Sequence, residues 1–107
     1  MRDDEYGGSF ENRLRFVREV IGAIRAEVGS ELVVGLRISA SEQTEEGLGA
    51  DEVLDALRAL DADGMLDYIS VAAGTSATLA GSDHIVPPMS FGPAYLAPMA
   101  QRVKEAV

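Results

Sequence analysis

Two short apolar runs separated by one helical stripe constrain this chain more than any other feature. Leu32–Ser39 reads Leu-Val-Val-Gly-Leu-Arg-Ile-Ser, and Leu66–Ala72 reads Leu-Asp-Tyr-Ile-Ser-Val-Ala. Both have the length and the β-branched content of strands, spanning about 32–38 and 66–72. Between them Val53, Leu54, Leu57 and Leu60 recur at helical spacing. That predicts a helix over about 50–62, with Asp51 and Glu52 at its positive end and Gly64 closing it. A helix between two strands is a crossover, and a crossover pairs its strands in parallel. A parallel sheet is covered on both faces or closed into a barrel. Two strands can do neither, so the pattern reads as an arc cut from a larger α/β protein.

The rest of the chain supplies more helix. Residues 1–8 are polar and end in Tyr6-Gly7-Gly8, a turn-like entry. Ser9 is placed to cap a helix over about 10–28, whose stripe is Phe10, Leu14, Val17, Ile21, Ile24 and Val28 and which Gly29 stops. Ser39–Gly49 reads as a polar loop, with a solvated acidic rim at 42–46, and Ala73–Gly92 as a long loop. A last helix is expected to begin near Pro93 and to carry Leu96, Met99, Val103 and Val107. The expected order is helix, strand, helix, strand, helix.

Side chains alternate faces along a strand. Gly35, Arg37 and Ser39 therefore share one face of the first strand, and Val34, Leu36 and Ile38 take the other. On the second, Ile69 and Val71 oppose Tyr68, Ser70 and Ala72. A cation near the carboxyl end of a strand, just past a gap left by glycine, suits something flat and electron-rich. The plainer reading is a strand-end arginine in a salt bridge or snorkelling to water.

At 107 residues there is room for one small domain, and 47% hydrophobic content is that of a folded chain. Eighteen acidic residues against nine basic ones give a net charge of −9. That argues against a nucleic-acid backbone or an anionic membrane as partner. The absence of cysteine excludes disulfides, thiolate zinc sites and cysteine-ligated iron–sulfur clusters, and no metal site is expected. No signal segment follows Met-Arg-Asp-Asp-Glu, and no apolar run approaches the ~18 residues of a membrane span. A cytoplasmic setting is the expectation.

Residues 2–13, Arg-Asp-Asp-Glu-Tyr-Gly-Gly-Ser-Phe-Glu-Asn-Arg, closely resemble the Arg-x-Asp-x-Tyr-Gly-Gly-Ser-x-x-Asn-Arg signature of the Old Yellow Enzyme family of FMN-dependent oxidoreductases. Arg2, Asp4, Tyr6, Gly7, Gly8, Ser9, Asn12 and Arg13 match it. The likeness continues through Val34–Ser39, Asp67–Val71 and the Pro-rich loop into the last helix, and it is nearest to the bacterial branch of 2,4-dienoyl-CoA reductases and amine dehydrogenases. The resemblance implies an α/β fold, a partial (β/α)8 TIM barrel. Residues 1–107 would form a single segment running from the loop after strand four through helix six of a barrel that takes about 250 residues.

The implied chemistry is that of an NAD(P)H oxidoreductase in which reduced FMN passes hydride to an activated alkene. The matching arginine, Arg37, would contact the flavin pyrimidine edge, where a fixed guanidinium stabilises negative charge. Gly35, one pleat back, would leave room beneath. The family's tyrosine acid and histidine substrate anchors lie upstream of the Tyr-Gly-Gly-Ser motif, and its phosphate site lies on strands seven and eight. None of these falls within the 107 residues, so no catalytic residue is assigned and independent turnover is not expected. His84, in the loop that would overhang the flavin, is the candidate substrate contact; a solvated loop histidine is the plainer reading. Arg2, Asp4, Asn12 and Arg13 fit an ion-pair and cap network pinning the first loop. Tyr68 and Tyr95 fit packing roles, and 75–82 part of a substrate lid. The alternative is a non-catalytic remnant, a small module that associates with itself or with a complementing chain through its open strand edges.

Overall fold

Six elements follow one another in the computed structural model, which describes residues 2–43 and 47–107. They are α1 (Phe10–Val28), β1 (Gly35–Ser39), α2 (Ala50–Ala62), β2 (Tyr68–Ala72), α3 (Leu79–Ile85) and α4 (Ala97–Ala106). Residues 44–46 of the acidic rim lie outside the described residues.

Local chemistry sets the helix bounds. The Ser9 hydroxyl accepts from the Asn12 amide at 3.2 Å and opens α1. The Gly29 amide donates to the Arg25 carbonyl at 2.9 Å and closes it. At α2 the Glu52 carboxylate accepts from the Gly49 amide at 3.5 Å, beside Asp51 in the same first turn. Acidic groups there meet the positive end of the helix dipole.

β1 and β2 pair in parallel in register from Gly35↔Tyr68 to Ser39↔Ala72, with Arg37 opposite Ser70. One sheet face packs outward: Leu36, Ile38, Ile69 and Val71 lie against the core of Val53, Leu54, Leu57 and Val103. Leu57 is wholly buried, at 0% exposure. Ion pairs tie the helices above this core, Arg102 to Asp51 at 2.6 Å, Arg13 to Glu52 at 3.5 Å and Arg18 to Asp63 at 2.7 Å. The other sheet face carries Gly35, Arg37, Ser39, Tyr68, Ser70 and Ala72, and among the described residues no helix packs over it. The radius of gyration is 14.9 Å. A compact domain of this length has about 13 Å. The molecule is an open arc with parallel strands on its inner side.

Three expectations need correction. β1 starts at Gly35, not Leu32, because the ladder begins only where Tyr68 faces it; Leu32 and Val33 are exposed. The stretch 73–92 is not all loop. Thr78 accepts from the Gly81 amide at 3.0 Å and caps the short helix α3, a Thr-x-x-Gly cap that the sequence displays. Leu79 in that helix is exposed, so no apolar stripe announced it. The last helix starts at Ala97, with Pro98 in its first turn. Pro93 stands in a turn before it, where Ala94 has φ 55° and interrupts helical geometry.

Candidate functional site

The uncovered sheet face is the candidate site, and Arg37 stands near its middle. The residue is exposed. Among the described residues its guanidinium has no hydrogen bond or ion pair. The strand-end salt bridge considered above is not formed with any described residue. Ser39, Ser70 and Ala72 share the face and are small, so the floor beside and beyond Arg37, toward the carboxyl ends of both strands, is low.

The gap at Gly35 is a different matter. A methyl group there would overlap the ring of Tyr68, which lies directly across in register. The missing side chain accommodates an aromatic neighbour, and the expectation of free room beneath Arg37 is corrected accordingly. No period in either strand reveals this, because the ring comes from 33 positions away.

His84 lies in α3, not in a loop. Its ring stacks on Phe91 at 5.0 Å and 23° and sits 6.0 Å from the Tyr95 ring. Tyr95 precedes α4 rather than lying within it, and its hydroxyl donates to the His84 carbonyl at 2.9 Å. The His84 Nδ1 is buried without a hydrogen-bond partner among the described residues. α3 is held close to the end of β2 at Gly74, where φ is +87° and a Cβ would meet the Gly81 carbonyl. Only glycine adopts that backbone at no steric cost. Residues 79–82 of the stretch 75–82 read as a lid are thus helical, and Arg37 and His84 are placed by β1 and by the unit that follows β2.

Arg2, Asp4 and Asn12 take part in pinning the first loop as expected, whereas Arg13 reaches Glu52 of α2 instead. Arg2 meets the Asp4 carboxylate at 2.7 Å, and the same oxygen accepts from the Tyr6 amide at 2.9 Å. The Arg2 guanidinium and the Tyr6 amide together hold the Asp4 carboxyl below the usual carboxylate range. The Asn12 carbonyl accepts from Arg15 at 3.0 Å, and Arg15 also donates to the Glu5 carbonyl at 2.8 Å. A methyl on Gly7 would overlap the Arg2 carbonyl, so the turn closes against its own entry.

Over residues 1–86 the sequence matches the NADH:flavin oxidoreductase / NADH oxidase family. The chain belongs to that family. Among its relatives, an N,N-dimethylglycine/sarcosine dehydrogenase of Chromohalobacter salexigens is 42% identical over 99% of this chain. A multifunctional alkene reductase/demethylase OYE of Caballeronia cordobensis is 37% identical over 100% of it. Among solved structures, a 2-naphthoyl-CoA reductase in complex with 2-naphthoyl-CoA superposes with a TM-score of 0.79 over 98% of the chain at 28% identity. The chain spans 15% of each of these three proteins. Its fold is therefore of the TIM-barrel type seen in that structure, two parallel strands with their helices outside. Among the described residues no helix is long and apolar enough to cross a membrane.

Proposed function

We propose that residues 1–107 are the stretch from the loop after strand four through helix six of an FMN-dependent NAD(P)H oxidoreductase barrel, and that their part in it is to hold the flavin by its pyrimidine edge. The observation that supports this most is Arg37, which among the described residues has no partner and stands on a sheet face that no helix covers. FMN, when bound, would supply a hydride acceptor and donor. The residues present fit its ring: Arg37 offers N–H donors, while Ser39, Ser70 and Ala72 leave the face beside it free of bulk. A positive charge at that edge stabilises negative charge developing there. The relatives' names cover dehydrogenation of N-methylated amino acids and reduction of alkenes, and both uses make the same demand on Arg37.

His84 is the second site residue in this reading. It lies just past the carboxyl end of β2, where substrates sit in such barrels, with one ring nitrogen unpartnered among the described residues. The acid that completes alkene reduction and the groups that hold the FMN phosphate are assigned to no residue here. The 107 residues alone are expected to bind flavin without oxidising NAD(P)H.

The test is a titration of the chain with FMN and, separately, with riboflavin, followed by flavin fluorescence. Equal saturable binding of both is expected, because no phosphate site is assigned. Arg37→Ala should weaken it at least tenfold, and Arg37→Lys should restore part of the loss. Failure of the wild-type chain to bind either flavin, or binding indifferent to Arg37, would remove this role.

A further inference from the structure

We propose that Phe91 and Tyr95 are positioning residues for His84. They lock its ring so that the hydrogen sits on Nε2, and that nitrogen, not Nδ1, is offered to the substrate as a hydrogen-bond donor. The inference rests on the reading of His84 as the second site residue, and it adds which atom acts and what kind of group it takes.

The three rings close on one another. His84 stacks on Phe91 at 5.0 Å, Phe91 lies 5.2 Å from Tyr95, and Tyr95 lies 6.0 Å from His84. The Tyr95 hydroxyl donates to the His84 carbonyl at 2.9 Å, so the ring is held by its face and the backbone by its oxygen. Gly74 closes in as well: a Cβ there would stand 2.8 Å from the Cβ of His84. Pro87, Pro88 and Pro93 stiffen the strap that carries Phe91 and Tyr95. Each proline fixes its own φ and leaves the unfolded chain fewer states to lose. All of these contacts are internal to residues 74–95.

The two ring nitrogens differ. Nδ1 is sealed off by the chain's own atoms and has no partner among the described residues. Nε2 makes no hydrogen bond among them and reaches solvent. A neutral imidazole carries one hydrogen, so one nitrogen donates and the other accepts. A hydrogen on Nδ1 would be a buried donor with nothing to meet. Buried N–H groups left without an acceptor are rarer in proteins than acceptors short of a donor. The hydrogen is therefore assigned to Nε2. Whatever approaches the open edge of this ring meets an N–H. That edge takes an oxygen acceptor, a carboxylate or a carbonyl, and has no lone pair to give a protonated amine.

His84 is the only histidine of the chain, so isotope labelling of histidine nitrogen gives one ring to read. The test is long-range proton–nitrogen NMR of the 107-residue chain without flavin. It is run at pH about 9, well above the ordinary histidine value of about 6.5. The same chain unfolded in urea gives the reference ratio of the two tautomers. Folding is expected to raise the Nε2–H form over the Nδ1–H form by about tenfold or more, as one unmet buried donor implies. Phe91→Ala should lose most of that rise and Phe91→Tyr should keep it. Tyr95→Phe, which removes only the hydroxyl, should lose part, and it carries the variant arm if Phe91→Ala loses its helix signal by circular dichroism. A soluble gadolinium chelate should broaden Hδ2, the ring hydrogen beside Nε2, far more than the methyl signals of wholly buried Leu57. A ratio unchanged by folding or shifted toward Nδ1–H would overturn the proposal. So would a rise that survives both Phe91→Ala and Tyr95→Phe, or an Hδ2 as protected as Leu57. Because no flavin is present, any of these failures leaves the flavin reading standing, and a chain that binds no flavin can still show the locked ring.

Discussion

A methyl group on Gly35 and the ring of Tyr68 claim the same space. Overfilling a site of this kind costs about 1–3 kcal/mol unless the neighbour gives way. Gly35→Ala is therefore expected to lower stability to denaturant by that amount in the wild-type background and by little in a Tyr68→Ala background. The double-mutant cycle isolates this coupling. A cost that persists without the ring would locate the strain in the β1 backbone instead. The pair also marks a limit of sequence reading. That Gly35, Arg37 and Ser39 share a face follows from strand alternation alone. That the glycine serves an aromatic ring, and leaves no hollow for a ligand, depends on the register of β1 against β2. Arg37 was legible by position and charge; its lack of a partner among the described residues required the fold.

The elements are fastened at the amino ends of the strands by one clasp. Arg25 of α1 donates to the Met65 carbonyl at 3.1 and 2.7 Å, to the Gly29 and Leu32 carbonyls at 3.1 Å each, and to the Asp67 carboxylate at 2.7 Å. The same Asp67 oxygen accepts from the Val34 amide at 2.7 Å. The Val34 amide first, and the Arg25 guanidinium second, hold the Asp67 carboxyl below the usual carboxylate range. A carboxyl depressed on folding contributes stability that is complete above its unfolded value of about 3.9 and is lost as pH falls through the lower folded value. Asp67→Asn should accordingly melt at a lower temperature than wild type at pH 7, and the gap should narrow as pH drops below 4. Melting curves across that range check it; a gap independent of pH would mean that the loss is of packing alone. Helices α1 and α2 were legible to the residue because stripe, cap and stop agreed. β1 was read from three residues too early because its apolar run begins before its pairing with β2. α3 was missed because its only signal, the Thr78 cap, precedes a helix with no buried stripe.

On the scale of the whole molecule, charge sets the balance. Acidic residues outnumber basic ones by 18 to 9. Arg2–Asp4, Arg58–Asp55 and Arg102–Asp51 are ion pairs on open surface. Such pairs are individually worth little in water, and salt weakens them. Salt also screens the mutual repulsion of the surplus carboxylates, which acts across the whole arc and is stronger in the folded chain than in the expanded unfolded one. The screening length falls from about 30 Å at 0.01 M to about 8 Å at 0.15 M. The arc is 43 Å along its longest axis, so at the lower ionic strength charges across most of it still repel, and at the higher only near neighbours do. The two effects have opposite signs, and the unpaired excess decides between them. The melting temperature is expected to rise as sodium chloride goes from 0.01 to about 0.15 M, and to rise less in a variant with Glu31 and Asp61, both exposed, changed to Lys. A fall with salt would show that the ion pairs joining the helices outweigh the surplus charge. The arc itself was legible in two strands and one crossover. What completes it was not, because a strand edge specifies that it must be paired and not by which chain.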